Sequence, residues 1–257
     1  MAYTQGLYPI VSKTASAKEI YDITVLCPEI ARQAQWGQFV HVKAEGFFLR
    51  RPISICEADP DKGTIRLVYE VRGEGTKELS KLHEGDLIDI MGPLGKGFTT
   101  LSKDSRAIVI GGGIGTPPLM EGAKYYGENA TAIIGFRSAN AVILEEGYRR
   151  TGAKTLLATD DGTKGTHGFV TTLLEQELEA GKPDIIYACG PKPMLKAVAE
   201  MAAANGIRCQ VSLEERMGCG IGACLVCACK TKRPDGSETH SHVCKDGPVF
   251  EAEEVVF

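Results

Sequence analysis

The run Ala107-Ile-Val-Ile-Gly111-Gly-Gly-Ile-Gly115-Thr-Pro-Pro-Leu119 reads as a buried strand, a glycine loop and a helix that opens on proline. Such a turn aims backbone N–H groups at a phosphate, because the first turn of a helix has amide donors with no partner inside the helix. It departs from a strict G-x-G-x-x-G: with Gly111 and Gly113 in the first two places, the third is Thr116. The same rhythm extends outward. Residues 132–135, 155–158 and 185–188 are apolar runs short enough for buried parallel strands, while 170–178 and 193–204, the latter closed by Asn205-Gly206, carry helical spacing. The alternation predicts a doubly wound α/β domain over 102–208.

Two further turns belong to that domain. Tyr187-Ala-Cys189-Gly190-Pro191-Lys-Pro-Met194 places Cys189 at the carboxyl end of a strand, where open α/β sheets bind ligands. Thr159-Asp160-Asp161-Gly162 ends the strand before it, either as an ordinary Asx turn or with Asp160 bonding a ribose or nicotinamide. Where a dinucleotide site often has an acid for the adenosine ribose, this chain has Arg137-Ser138. NAD and NADP both stay open on that ground.

Upstream, residues 1–101 alternate with period two at 21–26, 38–43, 65–71 and 86–91, which predicts an antiparallel β-barrel or sandwich. Leu49-Arg50-Arg51-Pro52-Ile53-Ser54-Ile55 reads as an edge strand because of its proline. Arg72-Gly73-Glu74-Gly75-Thr76 opens a short helical turn through Leu82, where the amides of Gly75 and Thr76 offer an anion site that Arg51 can complete. Together these suggest a second nucleotide cofactor on the barrel.

Downstream, residues 209–257 have too few apolar side chains for a core of their own. Six of the nine cysteines, Cys209, Cys219, Cys224, Cys227, Cys229 and Cys244, fall there. Cys219-x4-Cys224-x2-Cys227, followed by Cys244, has the spacing of plant-type [2Fe–2S] binding, and Gly218, Gly220 and Gly222 allow the tight loop that this requires. The rival is zinc, with His240 and His242 near Cys244. Cys229 lies outside the spacing and reads as a spare thiol, and Cys209 as core.

Against 29 basic residues stand 33 acidic ones, giving a net charge of −4 with the signs interspersed, so nucleic acid is excluded as a partner. No signal-peptide pattern and no run of roughly eighteen apolar residues occurs, which predicts a cytoplasmic chain away from the membrane. In that compartment clustered cysteines serve metals or redox chemistry more often than disulfides. No nucleophile or base constellation is present, so no residue is assigned a catalytic role of its own.

A barrel with R-P-I-S and G-x-G-T, followed by GGGIGTPPL and CGPKPM, resembles the ferredoxin–NADP reductase family. With Glu215-Arg-Met-Gly-Cys219-Gly-Ile-Gly-Ala-Cys224-Leu-Val-Cys227 and His242-Val-Cys244-Lys-Asp-Gly-Pro-Val-Phe250, the chain resembles the electron-transfer subunits of type B, NAD-linked dihydroorotate dehydrogenases. The resemblance implies a FAD on the barrel, lined by Arg51, Pro52, Ile53, Ser54, Val68, Tyr69 and Glu70, with Gly75 and Thr76 at its pyrophosphate. It implies NAD at Gly111, Gly112, Gly113, Ile114, Gly115, Thr116, Asp160 and Cys189, and a [2Fe–2S] centre on Cys219, Cys224, Cys227 and Cys244. The implied relay runs from the FMN of a separate catalytic subunit through iron–sulfur and FAD to NAD+, in pyrimidine (UMP) biosynthesis, within a heterotetramer of two of each subunit. Two other readings remain: a similar subunit of an NADPH-dependent sulfide dehydrogenase or ferredoxin-linked reductase, and a non-catalytic regulator with a zinc tail.

Overall fold

The structure is a computed structural model and describes residues 3–257. Contacts divide the chain into two compact units. The first runs to Gly97 and includes Glu214–Cys229 and Ser241–Pro248; the second comprises Phe98–Leu213, Lys230–His240 and Val249–Phe257. Residues beyond 213 are thus shared between the units, as expected of a segment without a core of its own.

In the first unit the chain runs β1 (Thr4–Ala17), β2 (Ile20–Leu26), α1 (Pro28–Gln33), β3 (Phe39–Val42), β4 (Arg51–Asp59), β5 (Thr64–Glu70), α2 (Glu74–Leu79) and β6 (Leu87–Leu94). The strands close into an antiparallel barrel in the order β1-β2-β5-β4-β3-β6. Alternation decides which side chains fill it: Val40, Val42, Ile53, Ile55, Ile65, Leu67 and Tyr69 belong to the core cluster. Each such apolar side chain contributes about 2 kcal/mol by leaving water.

Closure places β4 between β3 and β5, yet its Arg51–Ser54 half pairs only with β3 and its Ile55–Asp59 half only with β5, so Pro52 keeps the unpaired side that its edge reading expects. It is the second residue of its strand and stands opposite His41. A proline has no N–H to give, and the His41 carbonyl accepts instead from Arg50 Nη1 at 3.2 Å. Arg50 also makes a bidentate pair with Asp89, at 2.9 and 2.8 Å, which fixes the guanidinium at that post.

The second unit runs β7 (Ala107–Gly112), α3 (Met120–Tyr126), β8 (Ala130–Phe136), α4 (Glu145–Arg150), β9 (Lys154–Thr159), β10 (Thr166–His167), α5 (Val170–Ala180), β11 (Ile185–Cys189), α6 (Lys192–Ala204) and β12 (Arg208–Ser212). After a two-stranded hairpin, β13 (Ala228–Lys232) with β14 (Glu238–His242), the chain adds β15 (Val249–Glu251). The sheet has seven strands in the order β10-β9-β8-β7-β11-β12-β15, with only β15 antiparallel. β7 and β11 are buried throughout, as parallel strands covered on both faces must be. Helix α5 buries Val170, Leu173 and Leu174, and α6 buries Leu195, Val198 and Ala202, the stripes their spacing predicts.

After the glycine loop the chain makes two 3-10 turns, Gly113–Gly115 and Pro117–Leu119, before α3 begins at Met120. Proline disfavours the α conformation in the residue before it and supplies no N–H, which delays the helix past the Pro117-Pro118 pair. No helix among the described residues is long and apolar enough to cross a membrane.

Candidate redox-cofactor sites

Backbone amides in the cysteine loop converge on sulfur. Cys219 Sγ accepts from the N–H groups of Ile221 at 3.4 Å, Ala223 at 3.3 Å and Cys224 at 3.4 Å, and Gly222 N–H donates to Cys244 Sγ at 3.2 Å. Two more donors link the thiols in pairs: Cys219 N–H to Cys224 Sγ at 3.4 Å, and Cys244 N–H to Cys227 Sγ at 3.4 Å. Gly220 and Gly222 make this possible with φ of 76° and 83°, values that L side chains rarely adopt. Gly218 is not left-handed; a Cβ there would stand 3.1 Å from Cys224 Sγ, so its bareness serves close approach.

Those donors shape the acidity of the thiols. At Cys219 burial opposes ionisation, but the N–H bonds from Ile221, Cys224 and Ala223 outweigh it and bring the thiol down to about 6. Cys244 is pushed the other way by burial and by its partner Cys227. All four carry free thiols. Among the described residues no three His, Cys, Asp or Glu side chains gather at the spacing of a single metal ion. Two separate pairs are what two irons, each taking two thiolates, require. Cys229 lies apart on β13, with its Sγ 3.5 Å from the Ser241 carbonyl and its thiol raised by burial to about 11. His242 turns to a carboxylate instead, with Nδ1 3.6 Å from Asp246.

Outside the barrel a second surface takes shape. Strand alternation turns Pro52 and Ser54 of β4, and Val68 and Glu70 of β5, away from the core, while Ile53 and Tyr69 point into it. Ile53 and Tyr69 therefore offer a ligand on the outer face only their backbone. Glu70 pairs with Arg72 at 2.6 Å. At the start of α2, Thr76 Oγ1 accepts from the amides of Arg72 at 2.9 Å and Gly73 at 3.2 Å, so its hydroxyl folds the loop. The Arg51 guanidinium lies across Gly75, where a Cβ would come within 2.1 Å of Nε. It also donates to the Leu49 carbonyl and covers the Phe47 ring at 4.8 Å. A cation beside the amide end of a helix is a mismatch that an anion between them would relieve, so these residues fit a pyrophosphate.

In the second unit the glycine loop and the Cys189 turn end neighbouring strands, with Cys189 opposite Gly111. Strand order reverses between β7 and β11, which makes this the topological switch point of the sheet. The two turns are packed backbone on backbone: a Cβ on Gly115 would stand 2.5 Å from the Cys189 carbonyl oxygen, and one on Gly112 2.6 Å from Met194 Sδ. Thr116 Oγ1 is buried with no hydrogen-bond partner and lies against Gly111, where a Cβ would stand 2.9 Å from it. Asp160 is elsewhere, exposed at the end of β9, while Asp161 makes the Asx turn by accepting from Thr163 N at 3.0 Å and Thr163 Oγ1 at 2.6 Å. Arg137 is exposed at the end of β8.

One residue that the spacing arguments passed over is His41. It is 0% exposed, neither ring nitrogen completes a hydrogen bond, and the backbone group that bears on the ring is that of Cys219. Burial, with Arg50 adding to it, brings its imidazole down to about 4.

A closed barrel with an anion-fitted outer face, a parallel sheet with a glycine loop at its switch point and a loop of paired thiols define an iron–sulfur oxidoreductase of the ferredoxin-reductase type. Comparison with solved structures agrees. The chain superposes at a TM-score of 0.87 and 31% identity, over 98% of its length and 90% of the other chain, on the NADH-dependent reduced ferredoxin–NADP oxidoreductase described for flavin-based electron bifurcation. The ferredoxin reductase of carbazole 1,9a-dioxygenase shares the fold at a TM-score of 0.66 and 18% identity, over 80% of this chain and 67% of that one. Residues 214–256 match the iron-sulfur cluster binding domain of dihydroorotate dehydrogenase B. Over 257 aligned residues the chain is 44% identical to the dihydroorotate dehydrogenase B (NAD(+)) electron transfer subunit of Geobacillus kaustophilus, covering 96% of each. That of Caldanaerobacter subterraneus subsp. tengcongensis is 42% identical, covering 96% of this chain and 97% of the relative. The chain belongs to the family of dihydroorotate dehydrogenase B electron transfer subunits.

Proposed function

We propose that this chain takes electrons from the FMN of a dihydroorotate-oxidising catalytic subunit and delivers them, by way of a [2Fe–2S] centre and FAD, to NAD+ in pyrimidine (UMP) biosynthesis. The observation that carries the reading is the pair of thiol pairs, Cys219 with Cys224 and Cys227 with Cys244, wrapped in amide donors. Bound there, an iron–sulfur centre passes single electrons, while flavin on the barrel exchanges a hydride with nicotinamide.

The chain's own residues bind and tune. Cys219, Cys224, Cys227 and Cys244 hold the iron, and the amides of Ile221, Gly222 and Ala223 stabilise the charge on sulfur. Pro52, Ser54, Val68 and Glu70 line the flavin with side chains, Ile53 and Tyr69 with backbone. Arg51 and the amides of Gly75 and Thr76 hold its pyrophosphate. Gly111 to Thr116, with Cys189 beside them and Asp160 two strands away at the end of β9, hold the nicotinamide nucleotide. FAD thus falls to residues 1–101, NAD to 102–208 and the cluster to 209–257. No proton transfer by a side chain is needed.

Ile221, Leu225 and Val226, 41%, 60% and 58% exposed beside the thiols, favour docking of a second protein at the cluster loop. We assign the pair to a cytoplasmic heterotetramer of two of each subunit. The 31% identity to a ferredoxin–NADP oxidoreductase favours a second reading, in which the same relay serves a different electron donor. The test is to purify the chain with its native partner and follow NAD+ reduction by dihydroorotate, with iron, sulfide, zinc and flavin assayed on the same sample. Dihydroorotate-dependent NADH formation is expected. Reduction of artificial acceptors alone removes the substrate assignment, and zinc without iron removes the relay.

A further inference from the structure

All four residues of β3 are buried, although a barrel strand ordinarily shows one face to solvent. Val40 and Val42 belong to the core cluster, so Phe39 and His41 face outward. What covers them on that side comes from beyond residue 213. A Cβ on Gly95 would meet both Phe39 Cε1 at 2.9 Å and Pro248 Cδ at 2.5 Å, and a Cβ on Gly220 would stand 2.7 Å from His41 Nδ1 and 3.1 Å from Cε1. The imidazole is thus pressed edge-on against the residue that follows Cys219. Across the barrel wall it is in register with Pro52 on one side and Met91 on the other.

An imidazole always carries at least one N–H, and buried donors are nearly always paired. Here the ring is 0% exposed and neither nitrogen completes a hydrogen bond, although the backbone of Cys219, the first residue of the thiol loop, bears on the ring. Its two flanking strand residues give it nothing polar: Pro52 and Met91 present an aliphatic ring and a thioether. The loop it touches is the one whose amides already point at sulfur. We propose that His41 donates a hydrogen bond to the iron–sulfur centre held by the Cys219–Cys227 loop and so raises its reduction potential. This rests on the cluster assignment above. A donor to cluster sulfur stabilises the more negative, reduced state, which moves the potential upward. It also explains why a polar ring occupies a dry position between a β-strand and a metal loop, where an apolar side chain of similar size would pack without cost.

The experiment uses the full chain co-purified with its native partner, in wild-type form and as His41→Leu and His41→Asn, with iron and acid-labile sulfide quantified first. The midpoint potential of the cluster is then titrated, and the reduced cluster is examined by electron paramagnetic resonance after selective 15N-histidine labelling. The Leu variant should keep its iron but shift the midpoint to more negative values. The Asn variant, whose amide nitrogen falls near the place of Nδ1, should restore it. The labelled wild type should show a histidine nitrogen coupling that both variants lose. A wild-type midpoint in the Leu variant, equal shifts in Leu and Asn, or a coupling that survives substitution would each overturn the proposal. If the Leu variant fails to load iron, the labelled wild type decides, and absence of the coupling overturns it. Wild-type protein without iron and sulfide would overturn the cluster assignment itself, which is a distinct outcome.

Discussion

Residues 111–116 and 218–227 are both glycine-rich loops bare enough to present backbone amides, yet different forces hold them. In the first, Gly113 alone is left-handed, with φ of 56°, while Gly112 and Gly115 have ordinary backbone angles and are bare because the second βα turn lies against them. In the second, Gly220 and Gly222 are left-handed, and the loop's amides donate to its own sulfurs and to that of Cys244. One loop is shaped chiefly by the turn packed on it, the other chiefly by sulfur and by two left-handed glycines. Surrounding packing should make the first intolerant of added volume, whereas the second should depend on thiol chemistry.

The comparison breaks most sharply if Cys244→Ser leaves the second loop intact. We expect complete loss of iron and sulfide in that variant, with residues 214–229 becoming the first site of limited proteolysis. Next comes Gly115→Ala, whose Cβ would meet Cys189 backbone at 2.5–2.6 Å, atoms that cannot swing aside. Chemical denaturation should show a loss of about 3 kcal/mol while the iron content stays full. Gly222→Ala is the gentler counterpart. Its Cβ would meet Lys245 Cδ at 2.6 Å, which can swing aside, and Lys245 Cβ at 2.9 Å, which must give slightly; the left-handed backbone adds about 1 kcal/mol, and together these are read as a partial fall in iron.

Acidity sharpens the contrast further. In chelator-treated protein, Cys219 ionises near pH 6, below the ordinary thiol range, whereas burial holds Cys27 and Cys209 near 12. A folded value below the unfolded one means that ionisation favours the folded loop at high pH and that this support fades as the pH falls through about 6. Alkylation followed by mass spectrometry should therefore label Cys219 between pH 6 and 8 and leave the two core thiols untouched. The smallest effect is expected at Cys229, where substitution by serine should leave iron content and visible spectrum unchanged.

Much of the architecture was legible before the structure. β7, β8, β9 and β11 stand where short apolar runs were followed by glycine turns, because parallel strands covered on both faces leave a continuous apolar signature. β1 left no such mark. Over Thr4–Ala17 only Ile10 is buried, so pairing with β2 and β6, not a hydrophobic alternation of its own, makes it a strand. Helix α1 is six residues long, too short for a period to show. The edge character of Pro52 was legible, because its half of β4 pairs only with β3; that the other half of the strand joins β5 and closes the barrel is a property of the whole sheet.

At the sites the division is the same. Covalent spacing is written in the chain, so Cys219-x4-Cys224-x2-Cys227 with Cys244 and the Gly111 loop could be read without coordinates, since short loops restrict where neighbouring groups can go. Contacts between residues far apart in sequence are not written there. That the thiols fall into two pairs, that Ile53 and Tyr69 turn into the core, and that His41 on β3 is pressed against Gly220 and the backbone of Cys219 were decided only by tertiary packing. A histidine in a period-two strand looks the same whether it faces water or a metal loop. Burial is what distinguishes the two, and burial is set by which distant segment comes to lie on top.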